Sequence, residues 1–177
     1  ELRYAASTRE MMDMAEMRDG ATAPCRVAVV YHPDFSARGY PALKSRLAPA
    51  FQELEARGLL ELDCVRLLEA EPADDDLATD VHSESPIQGV RASGYYDIAL
   101  LSAGSVIRGA SETAEGRSLS SFCFVGAAGH HASHDGFWGF CFLNDVAIAV
   151  TCLRRDAGLR RFAVLDDDFT PAGGELT

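Results

Sequence analysis

Two adjacent histidines, His130 and His131, and two nearby carboxylates, Asp166 and Asp168, are the residues of this chain best suited to chemistry. Imidazole takes or gives a proton near neutral pH, and a carboxylate can orient the ring or ligate a metal ion. Taken together they suit acid–base catalysis or a metal site. Each group also has a plainer reading. An isolated His-His pair often has one ring bonded within its loop and the other facing water. A run such as Asp166-Asp167-Asp168 is often a solvated strand end. The elements around them decide between these readings.

Ser121–Val125 is apolar and β-rich and reads as a buried strand, broken by Gly126 and Gly129. The histidines therefore fall in a loop just past the carboxyl end of a strand, where parallel α/β sheets place their ligands. Asn144 or Asp145 can cap a helix whose apolar face runs over Val146–Leu153 and which stops near Gly158. Arg161–Leu165 then reads as a second buried strand, with Asp166, Asp167 and Asp168 at its end. Strand, helix and strand in that order form a right-handed parallel crossover. Such a crossover brings the histidine loop and the aspartates to one sheet edge, with Asp166 and Asp168 on one strand face. With that placement, the functional reading of all four residues is the stronger one.

Three segments in this order resemble the zinc-dependent histone deacetylase family, which includes the acetylpolyamine amidohydrolases: Gly129–Ala132, Gly139–Ala149 and Val164–Asp168. The resemblance runs from about Cys25 to Asp168 and is weaker before Tyr95. In the weaker part, Arg26–Tyr31 is similar to the family's first strand and Gly39–Leu54 to its first helical segment. Val81-His82-Ser83 is similar to a short motif. The implied fold is a three-layer α/β arrangement, a mostly parallel sheet with helices on both faces, of the arginase/deacetylase type and incomplete. The implied activity is hydrolysis of an acetylated amine, either acetyl-lysine or an acetylpolyamine, by zinc-activated water. His130 and His131 are then the tandem acid–base pair. Asp166 orients the first histidine and helps bind a monovalent cation such as K+. Asp168 is a Zn2+ ligand. Gly139 and Phe140 form the wall of the substrate channel and Cys141 its inner end, although core packing also explains Phe140 and Cys141.

The chain departs from the family pattern at several positions. Gly39-Tyr40-Pro41 stands where a His-Pro-rich segment is usual, Thr170 where a second histidine ligand is expected, and Gly173 where that ligand's carboxylate partner is expected. The stretch from His82 to Tyr95 offers no aspartate that can be assigned to gripping the substrate backbone. The alternative function is therefore a deacetylase-like module without a complete zinc site. The chain reads as an amino-terminal segment (1–24, helical from Ser7 to Gly20, then a linker) followed by the amino-terminal part of the deacetylase-like domain (25–177). On that reading it binds zinc weakly alone and does not deacetylate. It exposes a sheet edge and needs a second copy or a completing segment.

Composition agrees with a cytoplasmic α/β domain. With 177 residues, 47% of them apolar, the chain can bury a core, and no run is long enough to span a membrane. Five cysteines without a Cys-x-x-Cys pair suggest reduced thiols. A net charge of −11 argues against direct nucleic-acid binding and suits a cationic substrate, or simply solubility. Further elements are expected as strands at Cys25–His32 and Leu60–Leu67, and short helices at Asp76–His82 and Ile87–Arg91. A helix from Pro41 should be broken or kinked at Pro49 before a second segment reaching Arg57, and a longer one over Tyr95–Ala114 should be weakened by Gly104 and Gly109.

Overall fold

The computed structural model describes residues 25–167. The expected helix at Ser7–Gly20, and Asp168, Thr170 and Gly173, lie outside them. Three strands form one parallel sheet in the order β2-β1-β3. The central strand β1 (Cys25–Tyr31) pairs with β2 (Val65–Glu69) on one side and β3 (Ser118–Cys123) on the other. Ala28 and Val30 of β1 are fully buried, as befits an apolar strand covered on both faces.

Among the described residues six helices surround the sheet: α1 (Pro33–Arg38), α2 (Pro41–Ala56), α3 (Asp75–Val81), α4 (Glu84–Ser93), α5 (Tyr96–Ala114) and α6 (Asp145–Asp156). Leu47, Phe51 and Leu54 of α2 pack with Val27, Val29, Tyr31 and Phe124 on one sheet face. There Tyr31 and Phe51 stack at 3.6 Å. The other face carries α5. A side chain at Gly109 would stand 2.3 Å from Cys123 Sγ, and one at Gly104 would stand 1.7 Å from the Glu71 carbonyl oxygen. These glycines, expected to weaken the helix, instead allow it to lie hard against its neighbours. The outer side of α5 (Ile98, Ala99, Ala103) packs with Leu77 and Ala78 of α3 and Ile148 of α6. Sheet, α5 and α6 thus stack in layers, with α5 apolar nearly all round because it is the middle one. Glu112, wholly buried near the end of α5, holds Arg66 of β2 at 3.1 Å and Arg117, just before β3, at 2.9 Å. That pairing ties the helix end to both flanking strands. No described helix is long and apolar enough to cross a membrane.

Several expectations are corrected. The helix does not break at Pro49, which lies inside α2. Pro49 is on the exposed side, while Leu47, Phe51 and Leu54 hold both halves of the helix on the sheet. Arg161–Leu165 forms no strand, and Leu165 is 93% exposed. A segment apolar on both faces becomes a strand only when both faces are covered, and the described residues supply no such cover. Two strands are displaced: Leu60–Leu67 becomes a 3-10 turn (Leu59–Glu61) followed by β2, and Ser121–Val125 becomes Ser118–Cys123. Backbone pairing with β1 recruited the serines that hydrophobicity discounted. Helix α1 went unread; its amino end is capped by the His32 side chain, with Pro33 at the first position.

Candidate functional site

The loop after β3 is held by bonds from four separate segments. Ser102, wholly buried on α5, donates to the Ile98 carbonyl and accepts from the backbone N–H groups of Gly126 (3.1 Å) and Ala127 (3.0 Å). The Gly126 carbonyl accepts from Tyr40 N–H at 2.9 Å, and the Ala128 carbonyl from Phe142 N–H at 3.0 Å. Asn144 caps α6 by accepting from Ala147 N–H, and its amide donates to the Ala132 carbonyl, both at 2.9 Å. His82 closes the set. Its Nδ1 donates to the Ser133 carbonyl at 2.7 Å and its Nε2 accepts from Asn144 N–H at 2.9 Å. Those two bonds fix the neutral tautomer, and burial holds its pKa below the ordinary 6.5.

Ser102 was not singled out from the sequence, and His82 only as part of a short motif. A lone serine in a helix and a lone histidine after one carry no periodic signal. Ser102→Ala leaves two buried N–H groups without their acceptor, at a cost of about 2 kcal/mol. Chemical denaturation of the variant measures this directly; a stability equal to wild type would show that the loop does not depend on it.

Within the frame, Gly129 packs on the first turn of α6. A Cβ there would fall 2.2 Å from Asp145 Oδ1 and 2.4 Å from the Leu143 carbonyl oxygen. Asp145 is buried beside it, and its Oδ1 accepts from Val146 N–H. Burial lifts this carboxyl to about 6, against the opposing pull of the Val146 N–H and His130.

The next two residues carry the rings. His130 Nδ1 lies 3.0 Å from Asp166 Oδ2, so the carboxylate fixes this imidazole with its hydrogen on Nδ1 and the basic lone pair on Nε2. The two histidine rings lie 4.0 Å apart at 31°. His131 is buried, and the Trp138 indole lies flat on it at 3.9 Å and 19°.

Trp138–Cys141 is a tight turn, closed by Cys141 N–H to the Trp138 carbonyl at 3.0 Å. Gly139 and Phe140 both have positive φ, +61° and +59°, the conformation of a type I′ turn. For a phenylalanine this is strained backbone. The turn carries the Phe140 ring outwards onto Tyr40, 5.6 Å away, while Cys141 is wholly buried and bridged to Ala128. Of these three residues Gly139 comes up against His131, Phe140 lies on Tyr40 and Cys141 pairs with Ala128. His130, His131 and Asp166 converge, and Asp168 lies outside the described residues. Among the described residues, no three His, Cys, Asp or Glu side chains converge to hold a metal ion. A cleft of about 670 Å³ between α5 and the end of α6 is lined by none of these residues. Its charges partly neutralise one another through the Arg117–Glu115 and Arg155–Asp156 pairs.

Residues 40–170 match the histone deacetylase domain, a span that contains the whole histidine frame. The chain belongs to the histone deacetylase domain family. It is 29% identical over 159 residues to a probable deacetylase of Archaeoglobus fulgidus, covering 79% of this chain and 44% of that protein. It is 40% identical over 81 residues to the acetylpolyamine amidohydrolase of Mycoplana ramosa, covering 46% of this chain and 23% of that one. The deacetylase-family chain therefore spans less than half the length of these relatives. The crystal structure of the HDA15 HD domain superposes with a TM-score of 0.66 at 20% identity, over 75% of this chain and 44% of that one. That likeness supports the deacetylase fold.

Proposed function

We propose that this chain carries the proton-handling part of a deacetylase, an amide hydrolase that releases acetate from an acetylated amine. The observation that supports this reading most is the Asp166–His130–His131 arrangement past the end of β3, inside the family-matched span. His130, with Nδ1 committed to Asp166, takes a proton at Nε2 from the water that attacks the acetyl carbonyl. His131 protonates the amine nitrogen as the C–N bond breaks. Gly139 and Phe140 border the path of the amine stem, and the net charge of −11 draws a cationic substrate, acetyl-lysine or an acetylpolyamine. Zinc comes with the family reading, and Asp168 is this chain's own candidate ligand for it. The described donors do not make a metal site among themselves. A second copy of this chain remains the expected partner.

The test is release of free amine from an acetyl-lysine peptide and from a monoacetylated polyamine, with zinc supplied. Turnover of at least one supports the hydrolase reading. A folded protein that turns over neither supports the second reading, a deacetylase-like module without hydrolysis, which Thr170 favours.

A further inference from the structure

The chain has one tryptophan, and it lies on a histidine. Trp138 is 54% exposed, whereas the ring beneath it belongs to a residue only 7% exposed. The indole is the outer plate of a three-ring stack: Trp138 on His131 at 3.9 Å, His131 on His130 at 4.0 Å. The edge of the His131 ring is bounded as well. A side chain at Gly139 would come within 3.2 Å of its Cδ2. The backbone carrying the indole is fixed by the Trp138–Cys141 turn and by the pairing of Cys141 with Ala128. The half-exposed indole covers the ring of the buried histidine.

We propose that Trp138 is a positioning residue for His131: it fixes the plane of the imidazole against His130 and keeps bulk water from its outer face. The role rests on the deacetylase reading above, in which His131 gives a proton to the leaving amine. A loop histidine free to turn about its side-chain bonds would present that proton in many directions. Held between two rings it presents the proton in one, and misplacement of a reacting group by about 1 Å can cost 10²-fold in rate. Phenylalanine would keep a flat plate over the ring; alanine would remove it.

Histidine ring-proton NMR on the metal-free protein reads the stack independently of activity. In wild type the indole ring current should move the His131 ring protons upfield. Trp138→Ala should return them downfield and Trp138→Phe should keep part of the shift. The His82 ring protons, locked elsewhere in the frame, should stay in place and report the fold. In the deacetylase assay, kcat should fall about 10- to 100-fold in Trp138→Ala with KM little changed, and Trp138→Phe should recover most of it. Unmoved His131 signals in Trp138→Ala, with His82 intact, overturn the stack. Moved signals with wild-type kcat overturn the positioning role. Absence of turnover in wild type as well as the variants counts against the hydrolase reading, and the NMR comparison then decides the stack by itself.

Discussion

Gly129→Ala is expected to lower stability by about 3 kcal/mol and to displace the histidine pair. The added methyl would stand 2.2 Å from Asp145 Oδ1, 2.4 Å from the Leu143 carbonyl oxygen and 2.7 Å from Asp145 N. Two of those three atoms are backbone at the start of α6, and that start cannot retreat alone. Asn144 caps it while holding the Ala132 carbonyl, and Asn144 N–H is bound to His82. Relief must therefore come from moving the loop, and His130 is its next residue. For a chain of this size the loss corresponds to a fall in Tm of about 10 °C. Thermal and denaturant unfolding measure it. A variant within about 0.5 kcal/mol of wild type would show that loop and helix are not in contact as described.

Asp145→Asn is expected to act in the opposite direction. Burial raises the Asp145 carboxyl from 3.8 to about 6, so between those values the folded protein binds a proton that the unfolded chain does not. Stability contributed by this group is complete below pH 3.8 and is lost as pH rises through about 6. Asparagine keeps an acceptor for Val146 N–H and carries no charge. The variant should be more stable than wild type at pH 7, by up to about 3 kcal/mol, with the gain disappearing below pH 4. His82 has the reverse sign. Its pKa is lowered by burial, so its contribution is present above pH 6.5 and is lost as pH falls through its folded value. Comparing the two proteins at each pH cancels the His82 part. Parallel stability curves from pH 4 to 7 would show that Asp145 is not a buried acid.

The local structure around the histidines was readable because it is written in short, dense patterns. Glycines flanking His130 and His131 place them in a loop, and Asn144 before Val146 announces a helix start. The parallel sheet followed from alternating strands and helices. What escaped was set by tertiary contact. Ser118 and Ser120 join a strand because β1 offers them partners. Pro49 sits inside a helix because the sheet holds both sides of it. Arg161–Leu165 had the composition of an interior strand, and it stays outside the sheet because nothing described covers it. Ser102 and His82 earn their places only through bonds to residues remote in sequence, at the Gly126–Ala127 and Ser133–Asn144 segments. The stacking of Trp138 on His131 depends on two consecutive positive-φ residues, one of them a phenylalanine, for which the sequence carries no simple signal.

The central claim is that the His130–His131 pair, held by Asp166, moves the protons in hydrolysis of an acetylated amine. Its most direct test is the rate of amine release by the zinc-supplied protein carrying His130→Ala or His131→Ala, with fold checked by circular dichroism. Each variant should remain folded and lose about 10²- to 10⁴-fold in kcat, the range for a general acid or base. Folded variants that release amine at the wild-type rate would contradict the assignment.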